Sequence, residues 1–185
     1  MRGERELRRD AYLRKQRFEL ASLAERDVNM SGNAFSSCLF VKGSLSGDEL
    51  AGGPLLGGAD GEALRAALAA LGYAPEDWVA LGAVGLGSTA PLDAALLREA
   101  VCVLDPATVI AVDGVAAMAL RAAYATELAG LPDFDAAMLE EGVVAHVLGM
   151  RVMALGEFAA SLGDGRQKQL MWARLKKLPP LGEPY

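Results

Sequence analysis

Four side chains in two glycine-bearing turns are of the types that hydrolytic chemistry uses. Ser44 offers a hydroxyl nucleophile, Asp48 and Glu49 follow shortly after it, and Glu157 lies in a second turn behind an apolar run. Carboxylates that converge on one edge would work as a general acid and base pair. Ser44 as a nucleophile would need a base within hydrogen-bond reach, and the single histidine, His146, sits beside an apolar run. The plainer readings are that these acids face solvent and that His146 is structural. Cys38 and Cys102 both lie in apolar stretches and read as reduced core thiols. Two cysteines and one histidine are too few for a four-cysteine zinc or iron–sulfur site or a multi-histidine centre. No metal, no iron–sulfur cluster and no other cofactor is expected.

Positioning these groups requires a sheet edge. Residues 38–41 read as a buried strand ending at Gly43, and a loop with four glycines follows. A helix with Asp60 as N-cap and Gly72 as C-cap comes next. A strand, a glycine-rich loop and a helix in that order build ligand sites at the carboxyl ends of open α/β sheets. Residues 78–84 read as a strand whose Gly82, Gly85 and Gly87 do not open a helix, so they fail the context of a dinucleotide fingerprint. A helix over 92–104, with Asp93 near its start, is broken by Asp105-Pro106. Residues 108–113 are β-branched and apolar, and a helix over 115–128 packs back on the sheet. Residues 143–148 and 151–155, split by Gly149, read as a hairpin, and 166–178 as a terminal helix.

This alternation predicts an α/β fold, a three-layer αβα sandwich with a mostly parallel central sheet. Its organisation is an N-terminal helical arm over 1–30, an α/β domain over 38–178, and an extended tail over 179–185. Residues 27–37, rich in Asn, Ser and Gly, read as the linker between arm and domain.

The 185 residues are 52% hydrophobic, mostly small aliphatic side chains, with a net charge of −6. Such a chain packs a core and lacks the overall basic footprint of a nucleic-acid binder. Charge is unevenly spread: residues 1–27 hold eight basic side chains against six acids, and 166–177 hold five and no acid. Basic ends could meet phosphates through Arg166, Lys168, Arg174 and Lys177; the plainer reading is two solvated helix faces. The charged start lacks a signal-peptide core, and no run of about 18 apolar residues suggests a membrane span. A cytoplasmic protein with no membrane partner is expected.

Four pieces, in order, resemble the uracil-DNA glycosylase superfamily. They are residues 39–41 with Gly43-Ser-Leu-Ser-Gly47; the turn Gly53-Pro-Leu-Leu-Gly57; the run from Asp105 through Val-Asp-Gly to Leu120; and Met153-Ala-Leu-Gly-Glu157 running into the terminal helix. The resemblance implies that fold over 38–178. It implies a nucleobase pocket at Gly43, Ser44, Gly47, Pro54, Leu55, Gly82, Leu155 and Gly156, with DNA or a nucleobase as partner.

The family's reagents are replaced. Ser44 stands at the first-motif carboxylate position, Leu55 at the stacking phenylalanine, Gly82 near the base-reading asparagine, and Leu155 at the histidine. Base–aromatic stacking is worth about 1–3 kcal/mol, and one lost anion-stabilising donor costs about 10²–10³ in rate. The resemblance therefore implies a DNA-repair hydrolase fold without standard uracil excision, with residual nucleic-acid or nucleobase binding. Two alternatives stay open. One is an active glycosylase or nucleobase-processing enzyme of altered specificity, using Ser44, Asp48 or Glu157 in new roles. The other is an unrelated doubly wound α/β binding protein. Oligomeric state is not encoded in any pattern of the N-terminal helix read alone.

Overall fold

The run Cys-Leu-Phe-Val-Lys has β-branched and aromatic residues without a helical period, and it forms the central strand. The computed structural model describes residues 3–181. Helix α1 (Glu4–Glu25) leads into β1 (Val28–Gly32), and β2 (Cys38–Lys42) follows, buried at all five positions. Next come the short α2 (Gly47–Leu50), α3 (Ala59–Leu71), β3 (Val79–Gly85) and α4 (Ala94–Leu104). Strand β4 (Thr108–Ala111), α5 (Gly114–Ala123), α6 (Ala125–Ala129) and α7 (Phe134–Ala137) continue the chain. The hairpin β5 (Ala145–Val147) and β6 (Met150–Ala154), then α8 (Phe158–Ser161) and α9 (Gly165–Leu175), complete it.

The six strands form one sheet in the order β1-β3-β2-β4-β6-β5. The inner four run parallel, and β1 and β5 close the two edges antiparallel to β3 and β6. Alternation along the buried strands feeds two cores. Leu39, Val41, Leu81, Val109 and Ala111 pack with α1, α4 and α5 on one face. Cys38, Phe40, Ala80, Ile110, Val112 and Met153 pack with α3 and α9 on the other. The chain is a mostly parallel α/β sandwich.

Several expectations are corrected by tertiary contacts. Residues 28–32 are a sheet strand and not linker, so a boundary at residue 30 runs through β1. Asn-Met-Ser-Gly has little strand propensity of its own; pairing with the open edge of β3 supplies the order. Asp60 is not the N-cap of α3, which is Gly58. The helix over 115–128 is two helices that meet at Tyr124. Cys102 is exposed on α4, whereas Cys38 is buried and its thiol is pushed up to about 12 by that burial. Gly72 does end α3 in the left-handed region, at φ 98°. Leu148 and Gly149, at φ 49° and 84°, make the tight hairpin turn between β5 and β6.

Helix α1 joins the body through its C-terminal half, where Leu23 is fully buried and Arg26, just past the helix, pairs with Glu99 of α4. Leu23→Ala is expected to cost about 2–5 kcal/mol, measured by urea denaturation as a lower midpoint with an unchanged slope. A loss below about 0.5 kcal/mol, the usual effect of a surface change, would show that α1 is not part of the core.

Candidate functional site

The carboxyl ends of β2, β4 and β6 lie side by side, and their loops are bonded to one another. Val-Lys-Gly-Ser leaves β2 with Lys42 at its last position, in a strand that is otherwise apolar. The Lys42 side chain is 4% exposed. Its Nζ donates to Glu49 at 2.9 Å and to Asp60 Oδ2 at 2.5 Å. Glu49 is delivered by local chemistry: Ser46 caps α2, and the Glu49 carboxylate accepts the Ser46 N–H in return at 2.7 Å. The same carboxylate accepts Leu56 N–H at 2.8 Å, which draws the loop inward and seats Leu55 and Leu56 in the core. Gly61 sits where the chain doubles back, since a Cβ there would meet Leu56 O at 1.8 Å.

Burial alone would lower the pKa of Lys42. The hydrogen bonds to Asp60 and Glu49, with their charges, outweigh it and hold the ammonium above its ordinary value. For Glu49 burial pulls upward, and Lys42 with the Ser46 and Leu56 N–H groups pulls the carboxyl below its ordinary 4.5.

Asp113, just past β4, makes the second clamp. Its Oδ2 accepts both Gly43 N–H and Ser44 N–H at 2.9 Å, and its Oδ1 accepts Ala116 N–H at 2.8 Å at the start of α5. Gly43 is obligatory here, because a Cβ would stand 2.5 Å from Val115 Cγ1. After β6, Glu157 Oε1 accepts Gly114 N–H at 2.7 Å. Gly156, at φ 98°, leaves room for Arg174, which donates to Glu141 Oε2 at 2.9 Å and to Leu155 O at 2.5 Å.

A cleft of about 390 Å³ opens beside this edge, lined by Asp113, Val115, Met118, Arg121, Glu141 and Glu157 among others. Its charged groups are already engaged. Asp113 and Glu157 hold backbone N–H groups, Glu141 holds Arg174, and Arg121 donates from Nε to Met138 O at 2.7 Å.

The anticipated residues are distributed as follows. Gly43 and Ser44 meet Asp113, and Gly156 and Glu157 meet the start of α5 and line the cleft. Ser44 and Pro54 are exposed on the loop outside, and Gly47 and Asp48 are exposed on α2. Leu55 and Leu155 are core residues at 1% and 0% exposure. Gly82 is buried beside Lys42 in the β2–β3 register. His146 lies opposite Arg151, which bonds Thr108 at the start of β4, so it occupies the amino edge of the sheet, far from Ser44. On or just after α9, Arg166 and Lys168 are exposed, while Arg174 is tied to Glu141 and Lys177 Nζ donates to Gly142 O at 2.7 Å.

Three participants escape a reading of the sequence alone. Lys42 was signalled only by a charge closing an apolar run, and Asp113 read as a plain strand end. Asn29 of β1 sits against Gly82, and its buried Nδ2 has no hydrogen-bond partner among the described residues. Among the described residues no group of three or more His, Cys, Asp or Glu side chains is placed to hold a metal ion. No described helix is long and apolar enough to cross a membrane.

The fold and edge define a doubly wound α/β sandwich whose loops are closed on one another by Lys42 and Asp113. Neither a protein-family model nor a curated protein matches the chain.

Removing Lys42 would leave two acids packed together without their cation. Lys42→Met is expected to cost about 3–5 kcal/mol in urea denaturation; a neutral effect would mean the cluster is solvated. The pH dependence follows from the directions of the shifts. Glu49 is depressed in the fold, so its contribution is present above its unfolded value near 4.5 and is lost as pH falls below it. Melting curves of Glu49→Gln should therefore fall less steeply than wild type between about pH 5 and 3.

Proposed function

We propose that the chain is a glycosylase-like α/β domain that serves as a binding or interaction module and does not excise uracil. The observation that carries this reading is the state of the carboxyl edge. Every acid described there is committed to a backbone N–H or a cation, except for Asp48 on the exposed α2. Asp113 and Glu157 spend carboxylate oxygens on backbone N–H groups that hold the loops in place, so these side chains serve the fold at this edge. Ser44 has no imidazole at its edge, because His146 is at the other one. The glycosylase kinship is supported by the parallel strands running second-first-third-fourth across the sheet. It is supported also by the Gly43–Gly47 and Leu155–Glu157 turns falling at the same edge of the sheet, after β2 and β6 on either side of β4. Doubly wound sheets of other kinds share that strand order.

Nucleic-acid affinity on this reading is weak. Of the five basic residues on or just after the terminal helix, Arg174 and Lys177 are spent internally, which leaves Arg166, Lys168 and Lys176. Three phosphate contacts give a dependence of log K on log salt no steeper than about −3. A slope near −4, or binding that persists at physiological salt, would overturn that part of the reading.

The decisive experiment incubates the full chain with single- and double-stranded DNA carrying uracil, hypoxanthine or xanthine. No base release over hours at enzyme excess is expected. Time-dependent release of any of the three, lost in Glu157→Gln or Asp48→Asn, would overturn the proposal and favour an enzyme of altered specificity.

A further inference from the structure

Helices α3 and α9 cover one face of the sheet, and a cavity of about 330 Å³ is left between them. Along α9, Lys168, Met171, Trp172 and Leu175 recur three and four apart and turn one stripe toward α3. The facing stripe of α3 is Ala63, Ala66 and Ala67, whose methyl groups are too short to close the gap. Phe158 of α8 and Leu162 just past it complete the wall. Phe158, Met171 and Leu175 are buried, so the floor is core, while Ala66 and Lys168 are exposed at the rim.

The cavity has a polar end and an apolar end. From Lys168 to Leu175 it follows α9 for about 10 Å, with an ammonium at the first position and apolar side chains after it. Among the described residues no acid lines it. Glu62, just before Ala63 on α3, is exposed outside it. Asp164, one turn before Lys168, spends Oδ1 on the Arg166 and Gln167 N–H groups. Lys42, Arg98 and Arg174 each meet a carboxylate in the fold. The Lys168 ammonium has neither an ion pair nor a hydrogen bond among the described residues. Ser161, the other polar group in the wall, already donates its hydroxyl to Phe158 O at 2.6 Å. What the cavity offers a ligand is therefore one unspent cation at one end of an apolar trough.

We propose that the cavity between α3 and α9 binds a free medium-chain carboxylate, with its head at Lys168 and its chain along Met171, Trp172 and Leu175. Shape, wall and charge each narrow the class. The wall accepts a hydrocarbon and gives the hydroxyls of a sugar or the edge of a nucleobase nothing to bond, which would leave them buried and unpaired. The volume has room for about ten methylene-sized groups, which is one short chain and not the paired chains of a membrane lipid. A trough with its charge at one end matches a linear amphiphile and not a compact ring, and a single cation balances a monoanion. The cavity lies away from the cleft beside α5, so this inference stands independently of the glycosylase reading.

The test titrates the full chain with sodium decanoate, read by calorimetry and by tryptophan fluorescence. One saturable site per chain with Kd below about 1 mM is expected. Octanoate, with two methylenes fewer in the wall, is expected to bind about tenfold more weakly. Lys168→Glu is expected to weaken decanoate about fivefold and to leave the affinity for decanol unchanged. Ala66→Phe fills the cavity from an exposed position, so it is expected to keep the wild-type circular dichroism and abolish binding of both. Trp172→Phe is expected to keep the calorimetric signal and lose the fluorescence change, since Trp78, the other tryptophan, is outside the wall. No saturable binding of decanoate by the wild type would overturn the proposal. So would binding that survives Ala66→Phe, a fluorescence change that survives Trp172→Phe, or equal affinities for octanoate and decanoate. A Lys168→Glu variant that changes decanoate and decanol alike would overturn the anionic head.

Discussion

Lys42 places a full charge in the interior, and the shape of the carboxyl edge follows from how that charge is satisfied. An ammonium taken out of water costs several kcal/mol unless its attraction to acids and its hydrogen bonds offset the loss. Glu49 and Asp60 supply both, and they come from different helices, so the chain between them must wrap over the end of β2. The wrap carries Leu55 and Leu56 into the core and forces the close passage at Gly61. A short helix of four residues such as α2 has no stability of its own. Its capping box and the ion cluster hold it in place together.

Asp113 does for β4 what Lys42 does for β2. One carboxylate gathers the N–H groups of two consecutive loop residues, seventy and sixty-nine positions away in sequence, and also caps α5. With both clamps in place, the strand ends face one another through backbone hydrogen bonds and not across an open reaction site. The remaining open ground lies further out, where methionines and loop acids surround the cleft beside α5.

Legibility followed the range of the interaction. Periodicity and β-branching in residues 38–41 and 108–111, the αL glycine after α3, and the Leu-Gly turn between β5 and β6 are local signals, and the structure keeps them. Strand β1 had no such signal, because its order comes from hydrogen bonds to β3 some fifty residues later. Asp60 looked like a helix cap by position, yet its carboxylate is drawn to Lys42. Cys102 lay in an apolar stretch, but helical geometry turns it outward between residues that face the core.

The sequence by itself determined the order of the parallel strands and the longer helices between them, because periodicity, β-branching and turn residues act on neighbours within a few positions. Only the tertiary structure decided which polar groups at the edge are free. Ser44, Asp48 and Glu157 are equivalent in a sequence, as hydroxyl and carboxylates in glycine-bearing loops. What separates such groups is whether a distant donor has already taken the oxygen: the Gly114 N–H has for Glu157, the Gly43 and Ser44 N–H groups have for Asp113, and the Lys42 ammonium has for Glu49. Those partners are brought within 3 Å by the sheet, and no local pattern encodes them.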